Sequence, residues 1–192
     1  MSTHIARPVV VDSWAQKSAV KNVTLVLGLV VLTAICAQVS IPLPHTDVPL
    51  TLQTFAVLGG AAAVGAQRAV IAQTLYVGLA LLGVPVLAEG SAGKDVVFGV
   101  TGGYLVGFIA ASYVVGRIAQ RGATHNVAST ALAYVAGSAV IYTLGVGWLA
   151  HSTGMTISAA ITAGMTPFLI GDALKALVAG AALPAAWKLA NK

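Results

Sequence analysis

The stretch Pro167–Gly180, PFLIGDALKALVAG, places two opposite charges within an otherwise apolar segment. Asp172 and Lys175 are three residues apart, so a helix carries them on one face, where they can pair. A charged side chain inside a membrane-spanning helix costs about 2.5–3.5 kcal/mol on insertion scales and usually marks function. We therefore expect this pair to contact a substrate. The alternative is a salt bridge that only fixes helix packing.

The rest of the chain is as apolar as this stretch. Of its 192 residues, 58% are hydrophobic and only 8% are charged. Soluble domains carry about 25% charged residues, and disordered chains combine low hydrophobicity with high charge. The composition therefore predicts an integral membrane protein and excludes those two classes.

Six apolar stretches are long enough, or nearly long enough, for the ~20-residue helices that cross a bilayer. They do not alternate between apolar and polar residues, which favours helices over barrel strands. The second stretch is the weakest, because Thr51, Gln53 and Thr54 lie in its first turn. We predict an all-α, six-helix bundle that forms a single membrane-embedded domain. The predicted spans are Val23–Val39, Leu50–Ala66, Ala69–Ala88, Gly102–Ile118, Val127–Ala150 and Pro167–Leu189.

The positions of Lys and Arg predict the orientation of this bundle. If the N-terminus is cytoplasmic, the cytoplasmic segments hold most basic residues and the outer loops hold only Lys94, as the positive-inside rule favours. Both termini are then cytoplasmic, and the net charge of +5 is mostly a topology signal. No basic cluster interleaves with aromatic residues, so we expect no nucleic-acid partner. The cytoplasmic basic residues are Arg7, Lys17, Lys21, Arg68, Arg117, Arg121, Lys188 and Lys192.

This topology places three loops outside: Ser40–Pro49, Glu89–Thr101 and His151–Thr166. Glu89 follows an apolar run, so we expect it at the mouth of a cavity. The Gly and Pro content of the first two loops predicts that they seal this cavity. The segment GSAGK lacks the glycine and hydroxyl positions of a phosphate-binding loop, so we expect no ATP site there.

Residue spacing indicates neither catalysis nor a metal. The histidines His4, His45, His125 and His151 lack ligand spacing, and Cys36 is the only cysteine. We therefore predict a protein that is not an enzyme and holds no metal or cofactor.

Small residues at spacings of four are typical of close contacts between membrane helices. Gly99, Gly103 and Gly107 form two such steps, and we expect them to pack inside the bundle. Thr33 and Ala37 form another step on the first span. For that pair, internal packing and docking of a partner are both open.

Four motifs, in this order along the chain, resemble those of the biotin-specific S components of energy-coupling-factor (ECF) transporters, the BioY family. The resemblance covers roughly Ala34–Ala179, and the PLTLQ and G-D-x-x-K stretches contribute most to it. The motifs are IPLPHTDVPLTLQTFAVL from Ile41, YVGLALLGVPVLAEGSAGK from Tyr76, TGGYLVGF from Thr101 and PFLIGDALKALVA from Pro167.

The resemblance implies a prokaryotic, multi-pass protein of the cell membrane that binds biotin from outside. It implies delivery by an ECF coupling transmembrane subunit together with two ABC-type ATPases. Small residues of the first helix dock the coupling subunit in that family, and Thr33 and Ala37 take that place here. Asp172 and Lys175 correspond to residues at the biotin pocket, and the segment Glu89–Lys94 is expected to approach the ligand.

Biotin combines one carboxylate, a ureido ring and an apolar tail, which suits a concave, mostly apolar pocket with a few polar groups. Lys175 can pair with the carboxylate, and Asp172 or Gln53 can bind the ureido or carboxylate end. Tyr76 and Tyr104 are candidate aromatic walls. The predicted ligand-binding set is Asp172, Lys175, Gln53, Glu89, Ser91, Tyr76 and Tyr104.

The residues alone are also compatible with three other functions. An S component for another small vitamin has the same pattern, and only ligand profiling separates it. An intramembrane enzyme using Asp172 and Lys175 is disfavoured, because the pair lacks a metal site or a nucleophile. A structural or assembly protein predicts that neutralising both residues leaves ligand handling unchanged.

Overall fold

The computed structural model describes residues 9–12, 18–44 and 46–190. Four of its helical segments are long and apolar enough to cross a membrane: Ala19–Gln38, Gly102–Ala119, Val127–Thr153 and Ile157–Ala186. The chain is therefore a mainly helical membrane protein, as its composition predicts. His4, Arg7, Lys17, His45 and Lys192, which the sequence analysis considers, lie outside the described residues.

The first half of the chain forms three helices and a hairpin. Helix α1 spans Ala19–Gln38, α2 spans Gln53–Val64 and α3 spans Ala66–Leu81. Gly65 alone separates α2 from α3, and its φ of +84° allows the sharp turn that a larger residue would adopt only with strain. With 12 and 16 residues, α2 and α3 are shorter than a typical span.

A β-hairpin connects α1 to α2, so the all-α prediction is wrong in this segment. Strands β1 (Ser40–Leu43) and β2 (Thr46–Thr51) are antiparallel, and Ser40 pairs with Thr51. Most of the hairpin lies in the predicted outer loop Ser40–Pro49, where prolines exclude a helix but are tolerated in edge strands. The predicted second span therefore begins as a strand, and α2 starts only at Gln53.

The second half of the chain consists of five helices: α4 (Lys94–Val97), α5 (Gly102–Ala119), α6 (Val127–Thr153), α7 (Ile157–Gly164) and α8 (Leu169–Ala190). Short 3₁₀ turns lie at Ala88–Gly90, Ala123–His125 and Thr166–Phe168. Each predicted span overlaps one of α1, α2, α3, α5, α6 and α8.

Two of the predicted outer loops contain helices that the sequence analysis does not anticipate, α4 and α7. Thr156 caps α7, because its side chain accepts a hydrogen bond from the backbone N–H of Ala159. Helix α3 ends before the predicted boundary at Ala88. Gly83, with a φ of +89°, and Pro85 end it, since neither residue favours a continued helix.

Glycines let α5 approach its neighbours closely, which confirms the packing predicted for two of them. A Cβ at Gly103 would lie 2.4 Å from the carbonyl oxygen of Leu144, and one at Gly107 would lie 3.0 Å from the Cα of Ile141. The carbonyl of Gly99 accepts a hydrogen bond from Trp148 Nε1 at 2.8 Å. Helix α5 therefore contacts α6 through the face that carries Gly103 and Gly107.

The small residues of α1 also pack inside the chain. Thr33 and Ala37 are both fully buried. Thr33 Oγ1 donates to the carbonyl of Leu29 at 2.8 Å and accepts from Gln73 Nε2 on α3 at 3.1 Å. The expectation that this pair forms a face open to a partner is therefore wrong for this structure, because α3 already covers it. The exposed residues of α1 include instead Val23, Leu27, Val31 and Ile35.

At the end of the bundle opposite the hairpin, Arg68 joins three segments of the chain. Its NH1 group lies 2.7 Å from Asp12 Oδ1, and its Nε donates to Asn22 Oδ1 at 2.8 Å. This network ties residues 9–12 and α1 to the start of α3.

A substitution at Gly116 tests whether α5 approaches the turn between α2 and α3 as closely as the structure shows. A Cβ there would lie 2.4 Å from the Cα of Ala66, which is backbone and cannot move aside cheaply. We expect Gly116→Ala to lower the free energy of unfolding by about 1–3 kcal/mol, as overpacking does. Gly147→Ala is the matched control, since that Cβ meets nothing within 4 Å. Thermal unfolding in detergent measures both, and equal melting temperatures would contradict the packing.

Candidate ligand-binding site

A cavity of about 580 Å³ lies between the hairpin, the loop after α3 and the helices α2, α5, α6 and α8. Its volume is within the range of small-molecule sites, about 300–1,000 Å³. Leu105 and Phe108 of α5, Ile141 of α6 and Phe168 before α8 provide apolar wall. The predicted site residues that line the cavity are Gln53, Glu89, Ser91, Tyr104, Asp172 and Lys175.

The predicted pairing of Asp172 with Lys175 is confirmed, with 3.0 Å between Lys175 Nζ and Asp172 Oδ1. Both side chains are nearly buried, with exposed fractions of 8% for Asp172 and 12% for Lys175. Lys175 Nζ also donates to the carbonyl of Thr51 at 2.8 Å and to Thr54 Oγ1 at 2.7 Å. Three partners thus account for all three N–H groups of the ammonium.

The carboxylate of Asp172 receives donors from two other helices. Thr54 Oγ1 of α2 donates to Oδ1 at 3.1 Å, and the Tyr142 hydroxyl of α6 donates to Oδ2 at 2.5 Å. A buried ion pair is tolerated when further hydrogen bonds satisfy its remaining atoms, which these donors do. The network is electrically neutral as a whole and joins α2, α6 and α8.

The local fold explains why Thr51 and Thr54 reach this pair. Thr51 ends β2, two residues before α2 begins, so its carbonyl is not bound within a helix and can accept from Lys175. Thr54 lies in the first turn of α2. Asp172 and Lys175 share a face of α8 because they are three residues apart.

Gln53 lines the cavity, and both the nitrogen and the oxygen of its side-chain amide form hydrogen bonds. Its Nε2 donates to the hydroxyl of Tyr76 at 2.6 Å, and its Oε1 accepts from Thr51 Oγ1 at 3.0 Å. The Tyr76 hydroxyl in turn donates to the carbonyl of Val86 at 2.8 Å. Tyr76 is fully buried and does not line the cavity, so the prediction that it forms an aromatic wall is wrong. It supports Gln53 from behind.

Tyr104 does line the cavity, and two glycines hold it in place. Its hydroxyl donates to the carbonyl of Gly164 at the end of α7, at 2.8 Å. A Cβ at Gly145 would lie 2.4 Å from the Tyr104 ring. The ring therefore packs against α6, and its hydroxyl is bound to the end of α7. These two contacts fix its orientation toward the cavity.

Carboxylates surround the mouth of the cavity. Glu89 and Ser91 lie in the loop after α3, and Ser91 Oγ donates to the carbonyl of Ala88 at 2.7 Å. Asp47 of the hairpin and Asp95 of α4 line the same cavity and are exposed. The mouth is thus acidic and hydrated, whereas the inner network is neutral.

Sequence reasoning did not assign Thr51, Thr54 and Tyr142 to the site. The two threonines give a recognisable signal, because they are polar residues at the start of an apolar stretch. Tyr142 gives none, since it lies within the apolar run of α6. Among the described residues, no group of three or more His, Cys, Asp or Glu side chains is placed to hold a metal.

A helical membrane protein with a closed acid–base network at the wall of a small-molecule cavity belongs to the class of membrane-embedded ligand-binding proteins. Within this class, the BioY family model matches residues 9–192. The chain therefore belongs to the BioY family.

Individual relatives agree with this assignment. The chain is 38% identical to the biotin transporter BioY of Thermotoga maritima over 77% of this chain and 85% of the relative. It is 36% identical to the biotin transporter BioY of Rhodobacter capsulatus, over 83% and 90%. Its fold matches a crystal structure of the S-component for biotin from an ECF-type ABC transporter, with a TM-score of 0.80 and 21% identity. That match covers 90% of this chain and 92% of the other.

Tyr142 provides a test of the buried network. Tyr142→Phe removes the only donor that the structure shows for Asp172 Oδ2, among the described residues. We expect it to lower the free energy of unfolding by about 1.5–3 kcal/mol, the contribution of a hydrogen bond to a charged group. Tyr113→Phe on the exposed face of α5 is the matched control. Equal thermal stability of the two variants would argue against the network.

Proposed function

We propose that this chain is the biotin-binding S component of an ECF-type importer, which binds biotin and delivers it without chemical change. The proposal is supported by the names of the relatives and by the fold. The single observation that carries it is the Asp172–Lys175 network at the wall of a cavity of about 580 Å³. That site places a few polar groups within a mainly apolar wall, which is what a vitamin of this chemistry requires.

The geometry favours one orientation of biotin. Lys175 already uses its three N–H groups within the protein, so pairing with a carboxylate would require it to release Thr51 or Thr54. Asp172 Oδ2 accepts one hydrogen bond in the structure, and a carboxylate oxygen can accept two. We therefore place one ureido N–H group at Asp172 Oδ2, in contrast to the Lys175–carboxylate pairing expected from the sequence.

The biotin carboxylate then points to the hydrated mouth. Water and salt screen its repulsion from Asp47, Glu89 and Asp95 there. The apolar part of biotin lies against Phe108 and Phe168 in this arrangement.

Equilibrium titration of the purified protein with biotin tests the function. Binding in the micromolar range or tighter is expected, and no binding in that range would refute the proposal. Parallel titrations with other water-soluble vitamins test the alternative of an S component for a different ligand. Turnover of a bound ligand would favour an enzyme.

Lys175→Ala tests the role of the charge pair. It removes the partner of a buried carboxylate, so we expect biotin to bind roughly 10–150-fold more weakly, equivalent to about 1.5–3 kcal/mol. Lys188→Ala, on the exposed surface near the far end of α8, is the matched control and leaves affinity unchanged.

Biotin methyl ester distinguishes the two orientations in the same titration. If the ureido ring lies at Asp172, Lys175→Ala weakens biotin and its methyl ester by the same factor. If Lys175 instead held the carboxylate, the ester would be nearly insensitive to the substitution, and the orientation would be wrong. Thermal unfolding of each variant without ligand shows whether the protein remains folded.

We also propose that the chain crosses a prokaryotic cell membrane six times, with both termini in the cytoplasm and the cavity mouth outside. This is supported by the positions of Arg68 and Arg117 at the end of the bundle opposite the hairpin, where the positive-inside rule expects them. Helices α2 and α3 are short enough that the protein around them must complete their burial in the bilayer.

Cysteine labelling tests this topology. Cys36 is buried, which leaves introduced cysteines as the accessible ones among the described residues. We expect a membrane-impermeant maleimide to label Lys94→Cys in intact cells and Arg121→Cys only after lysis. The reverse pattern would show that the cavity mouth faces the cytoplasm.

The proposed partners are a coupling transmembrane subunit and two ABC-type ATPases, with no resident cofactor and with lipid around the bundle. Uptake of labelled biotin with and without these subunits, in cells that lack their own biotin importer, tests this requirement. Equal uptake without them would show that the chain transports biotin alone.

A further inference from the structure

Gln38, the last residue of α1, binds the loop that follows α3. Its Nε2 donates to the carbonyl of Leu87 at 3.0 Å and to the carbonyl of Ala34 at 3.2 Å. Its Oε1 accepts from the backbone N–H of Gly90 at 3.1 Å. One side-chain amide thus contacts the loop on both sides of Glu89.

This loop has a strained backbone at the position between those contacts. Glu89 has a φ of +58°, and it is the only non-glycine residue with positive φ in the part of the chain that the structure describes. Such a conformation is disfavoured for a residue with a Cβ and persists where the surroundings hold it. The loop also closes on itself, since Leu87 N–H donates to the carbonyl of Ser91 at 3.1 Å.

The held loop forms part of the cavity wall. Leu87, Ala88, Glu89 and Ser91 all line the cavity, whereas Gln38 does not. Gln38 therefore acts on the site through the loop and not through the ligand.

We infer that Gln38 is a positioning residue that holds the segment Leu87–Ser91 in its ligand-binding shape and couples that shape to the position of α1. A hydrogen bond weakens steeply beyond about 3.5 Å. A displacement of this end of α1 that lengthens both contacts beyond that distance therefore releases the loop. Because α1 has an apolar, exposed face at Val31 and Ile35, a protein that contacts this helix would act on the loop through Gln38.

Hydrogen–deuterium exchange of the peptide around residues 87–91 tests the link without ligand. In Gln38→Ala, the Gly90 N–H loses its acceptor, and we expect its exchange to become about 2–12-fold faster, the range for one hydrogen bond. Gln38→Glu keeps an acceptor for Gly90 and loses the donor to Leu87, so its exchange at Gly90 remains closer to that of the unsubstituted protein. Gln67→Ala on the exposed surface of α3 is the matched control.

Biotin titration of the same variants tests the consequence for binding, which rests on the proposed function. We expect Gln38→Ala to bind biotin roughly 3–10-fold more weakly, mainly through faster dissociation, because the loop closes over the site less often. Glycine adopts positive φ without strain, so Glu89→Gly should make the loop less dependent on Gln38. The effect of Gln38→Ala on exchange is then smaller in the Glu89→Gly background.

The outcomes separate the two proposals. Failure of the unsubstituted protein to bind biotin refutes the proposed function, while the exchange data still decide the role of Gln38. If the unsubstituted protein binds and Gln38→Ala matches Gln67→Ala in exchange and affinity, the inference is wrong. Loss of affinity with unchanged loop exchange also overturns it, because Gln38 would then act by another route.

Discussion

The ion pair between Asp172 and Lys175 is the interaction on which the site depends. A buried pair of charges destabilises a protein unless hydrogen bonds satisfy every remaining donor and acceptor. Here the additional partners come from the end of β2, the first turn of α2 and the middle of α6. Satisfying two charges on one helix therefore fixes the relative positions of three other elements, and all of these elements line the cavity.

This requirement also accounts for the interruption of the helical pattern before α2. In a continuous helix, the carbonyl of Thr51 would accept from a backbone N–H four residues later. Because β2 ends at Thr51, that carbonyl accepts from Lys175 instead. The hairpin is thus more than a connection between spans, since its last residue supplies an acceptor that a helix could not.

The sequence predicts the parts of this arrangement that depend on composition and short spacing. It gives the apolar spans, the Asp172–Lys175 pair and the glycine contacts of α5. It does not reveal Tyr142, whose partner is 30 residues away and whose surroundings are uniformly apolar. Thr33 and Tyr76 show the same limit. A residue pattern does not tell that α3 covers Thr33, or that the hydroxyl of Tyr76 binds the loop after α3. The hairpin lies mostly within Ser40–Pro49, which the sequence predicts as a loop, because prolines argue against a helix but do not distinguish a loop from an edge strand.

A self-satisfied network has a consequence for a protein that must bind a ligand and then release it. When a ligand leaves a site whose polar groups depend on it, those groups remain buried without partners, and this opposes release. In this cavity, Thr51, Thr54 and Tyr142 keep both charges paired within the protein. Opening the loop held by Gln38 therefore weakens binding, while Asp172 and Lys175 keep the partners that the protein itself supplies.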